Sequence, residues 1–297
     1  MSPYTHRPLR NSSEFIAMQQ FTARMVIQQA PYYICQPGDL AWWRGATPDD
    51  SGLAGIRLWE RDDTIVGWTW ETDDQVDSLY DTRYPDLWPA MVAYVAQHTA
   101  PTVSLWAFEK NPTRHTALIA HGYALQPLAL NQHYQPTASA PIFALPAGWT
   151  ATTLREADVP QRVLAQRSAF KSTIMTEERY NFSRSLPSYT PEWDMVAVND
   201  AGEIGAFCTV WVDDWSNYAL FEPVGCRQEH QRTGLTRGLI STTLQRLANA
   251  GIAHAAVMSD GNPDNHARFF YAACGFQFVD RFAVWLRTST DMPQIGV

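Results

Sequence analysis

The length, composition and charge of the chain exclude several classes of protein. Its 297 residues are enough for two ordinary domains, because domains cluster at about 100 to 150 residues. A hydrophobic share of 45%, with 12 Trp, 12 Tyr and 13 Phe, excludes a disordered chain. The formal net charge of -8 argues against nucleic acid or an anionic membrane as a partner and mildly favours a cationic substrate.

The cysteines and the hydropathy indicate the cellular compartment. Cys35, Cys208, Cys226 and Cys274 show no paired spacing, so they are interpreted as free thiols in a reducing compartment. No run approaches the roughly 18 apolar residues of a membrane span. We therefore expect a cytoplasmic protein, a monomer or a homodimer, with no membrane partner and no bound metal.

In chain order, the first half predicts a hairpin over 58–70 and then a strand over 103–108. Asn111-Pro112, a helix and Gly122-Tyr123 follow this strand. The segment 136–148 carries three prolines among small and turn residues. It predicts a domain boundary near Pro146, which divides the chain into domains 1–145 and 146–297.

The second half alternates between strand and helix signals in the order β, α, ββ, β, α, β, α, β. Its apolar periodicity predicts a helix over 156–170 with Val163, Leu164 and Phe170 buried, and a helix starting near Thr236. The full set of predicted elements is 149–154, 156–170, 195–198, 204–212, 218–226, 236–250, 253–259, 263–274 and 276–286.

The two halves share local signals. Asn262-Pro263 and Gly275-Phe276 in the second half repeat the Asn-Pro and Gly-aromatic pairs of the first, on either side of a helix. The repetition predicts two copies of one fold, with chance matching of short motifs as the alternative.

The loop Gln231-Arg232-Thr233-Gly234-Leu235-Thr236 lies between a strand and a helix. A helix N-terminus and a tight loop aim several backbone N–H groups at one point, which favours an anion site. Gly234 allows a phosphate to approach the backbone, and the Thr236 hydroxyl is expected to cap the helix. The alternative is an ordinary turn in which the glycine only eases the bend.

The segment 262–276 (NPDNHARFFYAACGF) carries a second signal. Ala267, Phe270, Tyr271 and Cys274 have helical spacing, which places Tyr271 on or beside the buried face. The alternative interpretation of this residue is a core aromatic with a solvated hydroxyl.

Together these motifs resemble the GCN5-related N-acetyltransferases (GNAT). Residues 222–236 are similar to the family's fourth strand and its Q/R-x-x-G-x-G/A loop, and 262–276 are similar to its Tyr-bearing segment before a Gly-Phe pair. The resemblance implies an α/β fold of two tandem domains, each with a mixed, mostly antiparallel sheet flanked by helices. The first copy is degenerate, as in proteins similar to mycothiol synthase.

The resemblance also implies acetyl-CoA as acyl donor. Val224 and Cys226 would offer backbone groups to the pantetheine arm, and Pro223 independently indicates a bulge or a splayed edge in that strand. Two positions depart from the pattern, Thr236 for Gly or Ala and Asp264 for Asn, which leaves Asn265 as the candidate pantetheine contact. The pyrophosphate would be held by Gln231, Arg232, Thr233, Gly234, Leu235 and Thr236.

The implied reaction is direct attack of an amine on the thioester, with Tyr271 as general acid and Glu222 as general base. Glu222 is otherwise a surface carboxylate or a charge that binds the acceptor. The acceptor is expected to be small and cationic, and residues 172–193 are expected to form a wall of its binding site. A turn with Trp211, Asp213, Asp214 and Trp215 either frames this acceptor or is plain surface.

The first half should be inactive, because Leu118 stands where Tyr271 stands in the second and 73–89 has no glycine loop. It is expected to complete the core and shape one side of the acceptor cleft. Two other functions stay open, an acyl-CoA-binding sensor without catalysis and an aminoacyl transferase of the same fold. The intact loop and the acidic charge argue against the aminoacyl transferase.

Overall fold

A computed structural model describes residues 3–45, 50–72, 74–99 and 102–287. Its first half contains β1 (Thr5–Pro8), α1 (Ser12–Gln29), α2 (Pro37–Gly45), β2 (Ile56–Arg61), β3 (Thr64–Glu71), β4 (Gln75–Tyr80), α3 (Leu87–His98), β5 (Ser104–Phe108), α4 (Pro112–Ala120) and β6 (Tyr123–Pro136). The second half contains β7 (Trp149–Thr153), α5 (Val159–Phe170), α6 (Glu177–Ser185), β8 (Asp194–Asn199), β9 (Ile204–Asp213), β10 (Tyr218–Cys226), α7 (Leu235–Asn249), β11 (His254–Asp260), α8 (Ala267–Ala273) and β12 (Gln277–Arg287).

All the described strands form one sheet in the order β1-β2-β3-β4-β5-β12-β6-β11-β10-β9-β8-β7. Its pairings are antiparallel except for β4 with β5 and β10 with β11. The predicted class is confirmed: this is a mixed, mostly antiparallel sheet flanked by helices.

The halves exchange their last strands. From one edge the order runs β1 to β5 and then β12, and from the other edge it runs β7 to β11 and then β6. Each half therefore supplies the strand that completes the other half's part of the sheet. This exchange was not predicted, and the division at residue 145 stays a prediction.

Helices cover both faces of the second half's strands. On one face α7 contributes Leu239, Ile240 and Leu244 to a core shared with Tyr271 of α8. The opposite face carries α5 and α6, together with α2 from the first half. A Cβ at Gly38 would lie 2.5 Å from Trp211 Cβ, so a side chain there would prevent α2 from packing this closely on β9.

A buried polar network joins α5 to this face, and Tyr180 of α6 also donates to its Asp194 carboxylate. Arg162 and Asp194 are both fully buried, and Arg162 donates to Gln166 Oε1 at 2.8 Å and to Thr209 Oγ1 at 3.2 Å. Its guanidinium lies 3.7 Å from the ring centre of Phe207. Removing one partner of such a pair leaves an uncompensated charge and costs about 3–5 kcal/mol, so the network fixes the positions of both helices.

Two helix predictions needed correction. The helix predicted from residue 263 begins at Ala267, because the Asp260 and Asn262 side chains accept the N–H groups of Asn262 (2.9 Å) and Asp264 (3.0 Å). Such local bonds offer the backbone an alternative to the helix. Leu164 is 48% exposed and Phe170 50% exposed rather than buried, since α5 directs Val163 to the core and Phe170 lies at the helix end.

The strand exchange predicts that neither half folds alone. A fragment of residues 146–297 lacks β6 and leaves β11 and β12 without their shared partner, so we expect no cooperative thermal unfolding by circular dichroism. Co-expression with 1–145 should restore a folded complex. Cooperative unfolding of 146–297 at the temperature of the intact chain would contradict this account.

Candidate functional site

The site begins where β10 separates from β11. The two strands pair in parallel only from Tyr218 to Leu220, whereas β10 continues to pair with β9 as far as Cys226. A register shift between Phe221 and Val224 marks the separation, and Pro223 lies inside it. The splayed strand predicted from Pro223 is therefore present.

A cavity of about 710 Å³ opens at this separation. Both halves contribute to its wall: Trp42, Trp43 and Gly45 come from α2, and Glu222 and Tyr271 come from the second half. The first half thus shapes one side of the cavity. The remaining lining residues are Gln166, Phe170, Ser172, Ile174, Met175, Arg179, Ser183, Phe221, Pro223, Val224, Val257, Met258, Ser259, Asp260, Asn265 and Ala267.

Tyr271 lies on the cavity wall with 7% of its surface exposed. Burial, and then the nearby Cys274, Cys208 and Glu222, raise the pKa of its phenol. A phenol with a raised pKa keeps its proton at neutral pH and can donate it. Tyr271 is therefore a core aromatic whose side chain, with a protonated phenol at neutral pH, lines the cavity.

Glu222 is half-buried at the register shift, and the Trp211 indole Nε1–H donates to its carbonyl oxygen at 2.7 Å. Its side chain hydrogen-bonds to Asp39 of α2. Burial, and then the charge and hydrogen bond of Asp39, raise the pKa of Glu222 well above its usual range. Glu222 is accordingly not a surface carboxylate.

The loop after β10 contains two residues with left-handed backbone, Arg232 (φ 63°) and Gly234 (φ 87°). The first helical hydrogen bond of α7 joins Gly238 N–H to Gly234 O at 3.0 Å, so the N–H groups of Leu235, Thr236 and Arg237 precede it. Loops of this form present N–H groups to an anion. Gln231 and Thr233 complete this exposed loop.

The predicted cap at Thr236 is wrong. Gly234 takes the N-cap position without a side-chain hydrogen bond, because α7 starts one residue earlier than expected. Burial raises the pKa of the Cys226 thiol, and the Thr236 side chain, instead of capping the helix, lowers that pKa in part.

The remaining candidates flank the cavity. Val224 lines it directly, whereas Cys226 ends β10 beside the loop. Asn265 lines the opposite side, where its Nδ2 donates to Asp260 Oδ2 at 3.1 Å and its Oδ1 accepts the Ala267 N–H at 2.9 Å. The structure thus gathers Glu222, Val224, Asn265 and Tyr271 around one space, with the loop beyond the end of β10.

Of the two segments predicted to bind the acceptor, only one lines the main cavity. Residues from the 172–193 segment line the cavity, among them Met175 and Arg179. Trp211, Asp213, Asp214 and Trp215 line a separate, smaller cavity of about 350 Å³. Trp211 also contacts the main cavity's wall indirectly, because its indole Nε1–H donates a hydrogen bond to the Glu222 carbonyl oxygen.

Trp42 and Trp43 line the cavity and Asp39 interacts with Glu222, and none of these three residues was foreseen from the sequence. They belong to α2, and the contacts that bring α2 across to β9 and β10 are long-range packing contacts with no motif of their own. A helix start at Pro37-Gly38-Asp39 is the only local signal, and it indicates a helix N-terminus rather than a site.

The described residues of the first half differ at the two corresponding positions. Leu118 is fully buried in its core. In the turn before α3, Asp81 accepts the Arg83 N–H at 3.0 Å and pairs with its guanidinium at 2.5 Å. The backbone N–H of this turn is therefore already bonded to a carboxylate of the protein. Of the predicted segment 73–89, Asp73 lies outside the described residues.

Across the described ranges, no helix combines the length and apolarity needed to cross a bilayer. Glu203, Glu229 and His230 bring possible metal-ligand atoms within 4.8 Å of one another. Arg227 lies 3.9 Å from Glu203 and 3.6 Å from Glu229, so a protein cation already partners these carboxylates.

Comparison with known proteins agrees with the resemblance seen in the sequence. Residues 165–276 match the model of the Acetyltransferase (GNAT) family. No curated protein matches the chain significantly.

Solved structures match over nearly the whole chain. A GCN5-related N-acetyltransferase from Sphaerobacter thermophilus is 17% identical, covers 98% of both chains and has a TM-score of 0.67. A tandem GNAT protein from the clavulanic acid biosynthesis pathway is 15% identical, covers 97% of this chain and 100% of its own, with a TM-score of 0.64. N-myristoyltransferase from Saccharomyces cerevisiae is 10% identical, with coverage of 97% and 79% and a TM-score of 0.58. At these identities the likeness establishes the fold.

Because its pKa is raised in the folded state, the Glu222 carboxyl makes stability depend on pH. The folded chain holds a proton that the unfolded chain loses above about pH 4.3, so this carboxyl's contribution to stability is full below that pH and declines as pH rises. Glu222→Gln removes the ionisation. We therefore expect the melting temperature of the variant, relative to wild type, to increase from pH 5 to pH 9; a difference that stays constant or decreases would contradict the assignment.

Proposed function

We propose that this chain, whose residues 165–276 match the model of the Acetyltransferase (GNAT) family, transfers an acetyl group from acetyl-CoA to a small amine. The observation that carries the proposal is that Glu222 and Tyr271 line one cavity, at the point where β10 leaves β11. In this proposal Glu222 would act as proton acceptor and Tyr271 as proton donor toward one bound substrate pair.

The donor would lie along β10. Its pantetheine arm would take the place of a paired strand beside Val224 and Cys226, where β11 has diverged. Its pyrophosphate would lie on the N–H groups of 231–236 at the start of α7, where the helix dipole favours negative charge. Asn265 would contact the arm from the α8 side.

In the reaction, the amine nitrogen attacks the thioester carbonyl carbon and the C–S bond breaks. One proton passes from the amine to the Glu222 carboxylate, and Tyr271 returns one to the departing thiolate. The products are the acetylated amine and free CoA. Glu222 accepts a proton only after losing its own, so transfer should accelerate as pH rises.

The acceptor is proposed to be cationic with an apolar body. Asp260 lines the cavity, and the Asp39–Glu222 pair, which shares one proton, carries one further negative charge beside it, against one lining cation at Arg179. Trp42, Trp43 and Phe170 supply aromatic faces, which attract ammonium groups and pack apolar carbon. This lining favours a small amine over a folded protein segment.

The two other functions have less support. A sensor that only binds acyl-CoA has no need for a proton acceptor and a proton donor in the same cavity. An aminoacyl transferase would bind tRNA, which the net charge of -8 disfavours. The four cysteines are free thiols, in keeping with a cytoplasmic location.

The direct test follows thiol release from acetyl-CoA with a panel of amines: spermidine, an aminoglycoside, an amino-sugar thiol and phenethylamine. In Tyr271→Phe we expect kcat to fall about 100-fold, because general acid catalysis typically contributes 10²–10⁴-fold. Acetyl-CoA affinity should change by less than about twofold, since the variant loses only the phenol oxygen.

The matched control is Tyr134→Phe, which removes a phenol bonded to His254 and absent from the cavity lining. It should retain the wild-type rate. Equal rates in Tyr271→Phe and wild type would remove Tyr271 from the chemistry, and no thiol release with any amine would favour the sensor.

The loop assignment has a control of its own. Gly234 (φ 87°) and Gly202 (φ 80°) have similar backbone, and an added Cβ meets nothing within 4 Å at either. Alanine at either position should lower the free energy of unfolding by about 1 kcal/mol through left-handed strain. Only Gly234→Ala should weaken acetyl-CoA binding in calorimetry, because only that Cβ approaches the pyrophosphate. Equal affinity in both variants would contradict the loop assignment.

A further inference from the structure

Asp39 is a buried carboxyl whose position the proposed reaction does not explain. It lies in the first turn of α2 with 8% of its surface exposed. Its Oδ2 accepts the Gln36 backbone N–H at 2.6 Å, and it hydrogen-bonds to the Glu222 side chain. Two carboxyl groups, one from each half of the chain, therefore share one hydrogen bond at the cavity.

We propose that Asp39 is a positioning residue for the reaction. Its carboxylate accepts the hydrogen bond of the protonated Glu222 and so determines both the orientation of Glu222 and the pH at which Glu222 can take the amine's proton. The first half would then contribute a functional group to the chemistry as well as a wall to the cavity.

The shared proton belongs on Glu222. A carboxylate at Asp39 is stabilised by the Gln36 N–H and by the N-terminus of α2, whereas no bond from a backbone N–H is found for the Glu222 side chain within the described residues. Two carboxyls in contact cannot both ionise readily, so one stays protonated. The contact with Asp39 accordingly raises the pKa of Glu222 further than burial alone.

Close packing and a hydrogen bond position the two elements that carry these carboxyls. Close packing at Gly38, where a Cβ would lie 3.3 Å from Leu220 Cδ2, sets the distance of α2 from β10. Trp211 packs against Gly38 and also donates to the Glu222 carbonyl at 2.7 Å. Glu222 therefore has a fixed main chain and a fixed partner.

Other ionisable groups near Glu222 do not supply a comparable contact. The Cys35 thiol has a pKa raised by burial and by the surrounding carboxyls, and Tyr271 has a pKa raised by burial, so both stay neutral at neutral pH. Asp77 interacts with Asp39 rather than with Glu222. The charged groups that share the cavity lining are Arg179 of α6 and Asp260 of β11.

The kinetic test rests on the proposed function. It compares the pH profiles of kcat/KM for wild type, Asp39→Asn and Asp77→Asn, using the panel amine with the fastest thiol release. Asparagine removes the charge at Asp39 but can still accept the Gln36 N–H, so Glu222 should ionise more readily. We expect the rising limb of the kcat/KM profile to move by at least one pH unit toward lower pH in Asp39→Asn. In Asp77→Asn it should move by less than about 0.3 pH unit.

A profile of Asp39→Asn that coincides with that of wild type would overturn the proposal, as would equal shifts in the two variants. A loss of kcat/KM without displacement of the limb would show a merely structural role for Asp39.

A second measurement does not depend on turnover. With ¹³C-labelled glutamate carboxyls, the titration of the Glu222 resonance, assigned by its loss in Glu222→Gln, should also move to lower pH in Asp39→Asn. If no amine releases thiol but this resonance moves, the proposed function fails while the coupling stands. If thiol is released and the resonance does not move, the coupling fails alone.

Discussion

The antiparallel pairing of β6 with β12 at the centre of the sheet is the constraint on which the rest of the molecule depends. It runs from Gln277 opposite Tyr134 to Arg287 opposite Tyr123, with two register shifts. Because β6 follows the first half and β12 ends the second, the pairing places each half's last strand in the other's sheet. It brings α2 onto the face where β10 and β11 separate, and the cavity forms between the halves.

The cavity is an environment that disfavours charge. Burial raises the pKa values of Tyr271 and Glu222, so these two wall residues keep their protons near neutral pH. A wall of this kind suits a reaction whose nucleophile must be an uncharged amine and whose leaving thiolate needs a proton. The same burial makes ionisation of Glu222 costly, and Asp39 increases that cost.

Local sequence signals predicted the second half well. The strand over 218–226 was predicted with its observed bounds, and Pro223 correctly indicated that it splays. The exchange of β6 and β12 was not predictable from local periodicity. The hydrophobic pattern of a strand indicates which of its faces is buried but not which strand it pairs with. For the same reason Asp39 was missed, because its role depends on packing at Gly38 between residues far apart in the chain.

Amide hydrogen exchange with and without acetyl-CoA tests the central claim most directly, namely a single acyl-CoA site at the end of β10 and the start of α7. The account predicts that acetyl-CoA protects amides between Phe221 and Gly238. It also predicts no change in the corresponding turn of the first half, 81–87, where Asp81 and Arg83 already pair. Protection confined to the first half, or none in either, would contradict it.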